Sequence, residues 1–485
     1  MRNISCPLYV NSQTFPQQAA LLWGRRSITW HQLNLYVQST ARYLREIGVS
    51  SGTRVAVRSV NSVEYVVTLL ALWRVGACVM PLSLHLPAKV LDQVLAAFRP
   101  AFTFSAEEWP EKVAGAKAYT LSMLVSFAFT DGFFGRESHL APSVDLDADV
   151  GVVLTSGSSG VPKGVLLSYG NFFANAAGAN AFIPFAPPDR WLLSMPLCHV
   201  SGLAIIFRAL QAGGAVTLPD AGETLEAALE RYRPTHISLV PVQLKRILSS
   251  GRVPGTLKAA LLGGGPVPRR LAGEGVQAGW PLYATYGMTE SASLIATGPV
   301  GPDGYVDVRV LPGRELCISA EGEVLVRGEV LSRGYLFGSA GESVDREGWF
   351  HTGDCGVLDQ EGRLRILGRQ DNMFISGGEN VHPETVEKAL LEHPDIAQAL
   401  VLPVSVETFG QRPVAFVRCS GASAPDVDAI AAFLRQRLAH HEMPVRYYAW
   451  PKEQTGEMVK IGRRDLMELM ARKEAVPCLT ERSDV

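Results

Sequence analysis

Val150-Gly-Val-Val-Leu-Thr-Ser-Gly-Ser-Ser-Gly-Val-Pro-Lys-Gly164 decides how the rest of the chain is read. A short apolar strand runs straight into a loop, and positions 155–164 of that loop hold three Gly, four hydroxyl residues and one Lys. Glycines let a backbone approach an anion closely, and successive amide groups can cradle phosphate oxygens. Lys163 adds charge. A plain surface turn is the competing reading, but the density of small and hydroxylated residues directly after an apolar strand weighs against it. The loop is not a Walker A motif. That motif needs G-x-x-x-x-G-K-[ST], whereas Pro162 precedes Lys163 and Gly164 follows it.

Outward from the loop, short apolar strands and helical stretches alternate. Val165 to Ser168 follows the loop, and residues 171–180 are Ala-rich and helix-compatible. Strands are predicted at 191–195, 215–218, 237–240 and 259–262, with helices at 202–212, 225–232 (capped by Thr224) and 243–248. Such alternation predicts a parallel sheet covered by helices, with ligands collecting beyond the strand C-termini. Upstream, the apolar stretch 65–80 is broken by Arg74 and Gly76 and ended by Pro81, so it reads as a buried helix running into a strand and not as a membrane span. After about residue 300 short strands separated by Gly turns (323–326, 356–358, 363–367) suggest a small β-rich unit. A second α/β segment begins near Asn372, with helices at 383–391 and 427–438, and the turn-prone stretch Gly368 to Asn372 is the candidate linker.

Bulk properties bound the function. At roughly 150 residues per domain, 485 residues predict two or three domains. Apolar residues make up 47% and charged residues 19%, a balance that builds a core and argues against disorder. A net charge of −2 argues against a nucleic-acid-binding surface as the main function. The N-terminus lacks the apolar core of a signal peptide, and the seven scattered Cys form no CxxC pair, which suggests reduced thiols in a cytoplasmic protein. A homo-oligomer stays open.

Further runs, taken in order with the loop, resemble the adenylate-forming superfamily of acyl-CoA synthetases, luciferases and nonribosomal peptide adenylation domains. Gly263-Gly-Gly-Pro266 is similar to its adenine-pocket loop, Tyr286-Gly-Met-Thr-Glu290 to its Y-G-x-T-E motif and Thr352-Gly-Asp354 to its T-G-D motif. Gly368-Arg-Gln-Asp371 followed by Ser376-Gly-Gly-Glu-Asn380 is similar to the hinge and the loop after it. The resemblance covers essentially the whole chain. It implies an α/β fold in which a large N-terminal domain of layered sheets and helices, with a β-rich subdomain (1–368), is joined by a hinge (369–371) to a small mobile C-terminal α+β domain (372–485).

It also implies roles. Thr155, Ser156, Gly157, Ser158, Ser159, Gly160 and Lys163 would grip the phosphates of ATP. Gly264, Gly265, Pro266, Tyr286 and Gly287 would frame adenine, with the Tyr286 ring as the stacking face. Thr289 would bond the α-phosphate, while Glu290 and Thr155 would serve as oxygen ligands for Mg²⁺. Asp354 and Arg369 would hold the ribose. Lys460 sits where the family has its catalytic lysine, although Val459 precedes it where the family pattern has Gly. Its cation would offset charge developing between the substrate carboxylate and the α-phosphate. Rotation about Asp371 would then exchange Lys460 for Ser376, Gly377 and Gly378, which would face a tunnel for CoA.

The acid is read from fewer residues. Arg208 lies in the apolar run Gly202 to Ala212, just after Pro196-Leu-Cys-His-Val-Ser-Gly202. A cation there must reach water, find a structural ion pair, or receive an anion from the substrate. The local words Pro196 to Gly213, Thr235 to Leu244, Leu311 to Glu315, Gly368 to Glu379 and Phe409 to Pro413 resemble o-succinylbenzoate–CoA ligases. Their substrate carries two carboxylates, so Arg208 would receive the one that is not activated, and His199 would line the acid pocket and act beside Lys460, Thr289 and Glu290. The partners implied are a small-molecule acid, ATP and CoA, with no nucleic acid and no stable membrane insertion. Two rivals share the nucleotide residues: another acyl- or aryl-CoA ligase, and a free-standing amino-acid adenylation enzyme that loads a carrier protein.

Overall fold

The computed structural model describes residues 2–107, 109, 113, 115–129, 142–155, 162–249, 253–265, 267–338, 344–406, 410–420, 426–451, 462–472 and 474–478. The strands around the site fall into two large sheets. One orders its strands Tyr335–Phe337, Lys163–Ser168, Asp149–Thr155, Cys78–Leu82, Arg54–Arg58, Phe102–Ser105 and Lys117–Thr120. The other runs Arg309–Val310, Ser293–Pro299, Leu282–Met288, Ala259–Leu262, His236–Leu239, Arg190–Leu192, Ala215–Leu218, Ala19–Trp23 and Arg26–Thr29. The centres of both are parallel, as the alternation predicts.

The division into two sheets is a difference from the single parallel sheet expected of residues 150–262. Asp149–Thr155 and Lys163–Ser168 pair antiparallel, Thr155 opposite Lys163, so the Gly/Ser loop joins two strands of a hairpin. It does not lead from a strand into a helix. Periodicity could not show this, because a six-residue apolar run looks the same in either sheet.

Four helices lie between the sheets: Trp30–Glu46, Val63–Arg74, Tyr169–Phe182 and Val200–Ala212. Val55, Val57, Val79 and Leu167 of one sheet and Leu21, Trp191 and Val216 of the other bury side chains in one continuous core with them. Outer helices cover the opposite faces, Ala88–Phe98 on the first sheet and Leu225–Tyr232 and Arg269–Gln277 on the second. Helix Val200–Ala212 is apolar nearly all round because both sheets surround it. It stops where Gly213 takes the left-handed conformation, φ 77°.

A four-stranded antiparallel unit, Arg314–Ile318, Glu323–Gly328, Phe350–Leu358 and Leu364–Arg369, forms the expected β-rich part. A short 3₁₀ turn, Gln370–Asn372, leads from it to a further sheet built from Phe374–Ser376, Glu379–Val381, Ile396–Val406, Gly410–Cys419 and Arg446–Ala449. That sheet has its own core with helices Pro383–Leu391 and Val427–Arg435. Among the described residues no helix is long and apolar enough to cross a membrane, and all seven cysteines are free.

Phe207 ties the central layer together. It is fully buried, stacks on Phe172 at 4.6 Å between ring centroids, and meets Trp73 at 4.7 Å and Tyr169 at 5.1 Å. Phe207→Ala is expected to cost about 3–5 kcal/mol, read as a lower urea midpoint for the large domain with little change in the denaturant slope.

Candidate active site

The structure brings Lys163, Tyr286, Glu290, Asp354 and Arg369 into two linked groups around the end of strand Leu282–Met288. Ala259–Leu262 and Leu282–Met288 are neighbouring parallel strands, so the Gly263–Gly265 loop after the first lies beside Tyr286 on the second. Gly264 and Gly265 are exposed and Tyr286 is half-buried. Thr289 and Glu290 follow in a 3₁₀ turn.

Asp354 is the hub of the first group. It sits directly opposite Arg369 across the strands Phe350–Leu358 and Leu364–Arg369. One carboxylate oxygen, Oδ2, accepts the Tyr286 O–H at 2.7 Å, and Oδ1 accepts Arg369 Nη1–H at 3.2 Å. Each oxygen keeps acceptor capacity for a further donor such as a sugar hydroxyl. Burial pushes the Asp354 carboxyl above its ordinary range, while Tyr286 and Arg369 pull it back. Burial and then the Asp354 charge push the Tyr286 phenol upward. Arg369 also bonds the Thr352 carbonyl at 2.7 Å and, through Nε, the Asp371 carboxylate at 3.1 Å. A Cβ at Gly353 (φ 68°) would lie 2.7 Å from the Arg369 guanidinium, which is why the motif needs glycine there.

The second group is built from both sheets. Lys163 holds its ammonium 5.1 Å from the centre of the Tyr335 ring. The Tyr335 hydroxyl donates to Glu290 Oε1 at 2.8 Å. The loop lysine of one sheet and the carboxylate following the other are thereby fixed together. Ser156, Gly157, Ser158, Ser159, Gly160, Pro266 and Lys460 lie outside the described residues. Thr155 and Lys163 flank the loop as a cross-strand pair.

Arg208 is 2% exposed, on the helix between the sheets. Its guanidinium lies 4.9 Å from the centre of the Trp191 ring. Among the described residues no carboxylate pairs with it, and its Nε has no hydrogen-bond partner. Burial, then the nearby Arg314 guanidinium, push its pKa down to about 9. His199 is exposed at the N-terminal cap position of the same helix.

Farther along, Asp371 is exposed in the turn Gln370–Asn372. Gly377 and Gly378 form an exposed turn with φ 61° and 91°. Ser376 is fully buried beside them, and its hydroxyl has no hydrogen-bond partner.

Sequence reading passed over three contributors. Tyr335 lies 45 residues from Glu290 and carries no motif signal of its own. Trp191 reads as an ordinary strand residue until it is found under Arg208. Glu323, 9% exposed, accepts the Gly353 N–H at 2.8 Å and the His351 ring at 2.9 Å, and so supports the Asp354 turn from behind.

Residues 8–336 match the family described as AMP-binding enzyme, and residues 385–457 match the AMP-binding enzyme C-terminal domain. The chain is similar to the 2-succinylbenzoate–CoA ligase of Geobacillus kaustophilus, with 35% identity over 96% of this chain and 99% of that protein. It is similar to an arginine-to-lysine variant of E. coli MenE with bound OSB-AMS (32% identity, TM-score 0.82, covering 97% of this chain and 99% of that one). It is also similar to the Bacillus subtilis o-succinylbenzoate coenzyme A synthetase in complex with ATP and magnesium ion (28% identity, TM-score 0.82, covering 93% and 96%).

The charge on Asp354 gives a pH test. Removing Arg369 removes a group that holds the carboxyl down, so in Arg369→Ala it protonates at a higher pH. ATP binding, followed by calorimetry across pH, is expected to weaken on acidification from a higher pH than in the parent, on top of a uniform loss of affinity.

Proposed function

The chain belongs to the AMP-binding enzyme family, and from that premise we propose that it is a 2-succinylbenzoate–CoA ligase. The reaction is ATP + 2-succinylbenzoate + CoA → 2-succinylbenzoyl-CoA + AMP + diphosphate, through an acyl-adenylate, in menaquinone or phylloquinone biosynthesis. The observation that carries the choice of acid is Arg208: a buried guanidinium on an aromatic shelf, with no anion on it among the described residues. An acid with a second, unactivated carboxylate supplies that anion. A fatty acid does not, which disfavours the broader acyl-CoA ligase reading. An amino acid would bring an ammonium group toward a cation, which disfavours an adenylation enzyme that loads a carrier protein.

The steps follow from the chemistry of a carboxylate, which is a poor acyl donor. Its oxygen attacks the α-phosphorus, a P–O bond to diphosphate breaks, and the acyl-adenylate carries a good leaving group. Thr155, Lys163 and the loop between them hold the departing diphosphate. Tyr286 and the Gly264–Gly265 loop frame adenine, and Asp354 and Arg369 accept from and donate to the ribose. Thr289 donates to the α-phosphate, and Lys460 places its cation over the forming bond. His199 lines the acid pocket while Arg208 holds the ring carboxylate. The thiolate of CoA then attacks the acyl carbon, and AMP leaves.

The residues present fit Mg²⁺. Glu290 offers a hard carboxylate oxygen held by Tyr335, Thr155 offers a hydroxyl, and the described residues contain no cluster of three or more His, Cys, Asp or Glu that would cage an ion alone. This suits a cation bound mainly by nucleotide phosphates. Its contribution is to neutralise phosphate charge. We assign 1–368 to the domain binding ATP and acid, 369–371 to the hinge and 372–485 to a domain that turns about Asp371 and brings Ser376, Gly377 and Gly378 to the CoA tunnel. The proposed compartment is the cytoplasm.

Purified protein given ATP, Mg²⁺ and a panel of acids is expected to catalyse pyrophosphate exchange with 2-succinylbenzoate, and to form the thioester once CoA is added. Exchange with an amino acid alone would overturn the assignment. Lys460→Ala is expected to abolish exchange while sparing thioester formation from supplied acyl-adenylate, and equal loss in both would remove Lys460 from its role.

A further inference from the structure

Helix Pro383–Leu391 places Glu384 and Glu387 on one face, three residues apart. Both turn to the same partner. Arg463, the first residue of helix Arg463–Ala471, sets its Nη2 2.9 Å from Glu384 Oε1 and 2.6 Å from Glu387 Oε1. The cluster is partly enclosed, with Glu384 and Arg463 half-buried and Glu387 buried. Glu387 is 5% exposed, and burial lifts its carboxyl to about 7 against the pull of Arg463. Glu384 Oε2 and Arg463 Nε are buried without hydrogen-bond partners. Glu387 Oε1 also accepts the Val401 N–H at 2.8 Å, and Glu384 Oε1 accepts the Asn372 side-chain amide at 2.6 Å. A Cβ at Gly368 would come within 2.5 Å of Glu384 Oε2, so the strand that carries Arg369 ends against this cluster.

Two carboxylates on one guanidinium are more than a helix start needs, and burying them is costly. Their place in the chain suggests their use. Arg463 stands three residues after Lys460, so their Cα atoms can be no more than about 11 Å apart. Asn372 follows Asp371. We propose that Arg463 is a positioning residue for the adenylation step: pinned by Glu384 and Glu387, it fixes the chain from which Lys460 reaches the reacting bond and ties it through Asn372 to the hinge. This inference rests on the role assigned to Lys460. The two half-reactions separate it from a merely structural role, because both require a folded C-terminal domain and only the first requires Lys460 in place.

The test uses the full chain carrying Arg463→Met, Arg463→Lys or Lys460→Ala. Acid-dependent pyrophosphate exchange reports adenylation, and CoA added to supplied acyl-adenylate reports the second step. Arg463→Met is expected to slow exchange about 100-fold at saturating ATP and acid, the scale of an ångström-sized misplacement, and to leave thioester formation within about two-fold. Arg463→Lys, which keeps one charge contact, should recover part of the loss. Equal loss of both half-reactions, or unchanged exchange, in Arg463→Met overturns the inference. If Lys460→Ala abolishes exchange while Arg463→Met spares it, the inference alone falls. If Lys460→Ala spares exchange, the assignment beneath it falls. Should the Met variant fail to fold, Glu387→Gln, which preserves size and an acceptor for Val401, is expected to show the same split at about ten-fold, and equal losses there overturn the inference.

Discussion

A guanidinium enclosed by an apolar core costs free energy until an anion joins it. Arg208 meets that condition at 2% exposure, on a helix with a sheet on either side. The packed rings of Phe207, Phe172, Tyr169 and Trp73 fix the helix, and among the described residues the face of Trp191 takes the place of a counter-ion. A cation–π contact offsets only part of the desolvation, on the order of 2 kcal/mol. The remainder is available to a carboxylate that arrives with the substrate. In the proposed function, specificity comes from this deficit of charge, which the packing of the central helical layer keeps open.

The nucleotide side is organised differently. Tyr286, Asp354, Arg369, Tyr335 and Glu290 are hydrogen-bonded to one another within the protein, and they join elements that are distant in sequence. Tyr335 links Lys163 of one sheet to Glu290 beyond the other, and Asp354 links Tyr286 to Arg369. Such preorganisation spares the site from reordering when charge develops. On the proposed assignment, the acid side keeps an unpaired charge at Arg208, while the described groups on the nucleotide side are hydrogen-bonded to one another. That contrast is what a family with one activation chemistry and many acids requires.

The motifs made the local geometry of the candidate site legible in the sequence because each is a local solution to a local problem: glycine where Arg369 crowds Gly353, or a carboxylate opposite an arginine across two strands. Helices such as 383–391 and strands such as 259–262 emerged at their bounds because their apolar spacing is regular. Long-range geometry was not legible. Nothing in the run from Val150 to Gly164 says that its two strands pair with each other in a sheet separate from that of residues 190–262. Tyr335, Trp191 and Glu323 act only through neighbours that folding brings to them. Arg208 stands between the two cases: its apolar surroundings are visible in the sequence, and its lack of an anionic partner among the described residues becomes visible only in three dimensions.

The claim that Arg208 reads the second carboxylate is tested most directly by a two-by-two comparison. The kcat/KM for 2-succinylbenzoate and for the same acid lacking its ring carboxylate would be measured in the parent chain and in Arg208→Ala. The parent should prefer the dicarboxylate by roughly 100-fold or more, the scale of a charged hydrogen-bonded pair. The preference should nearly vanish in Arg208→Ala, with the KM for ATP little changed. A preference that survives intact in Arg208→Ala would contradict the account.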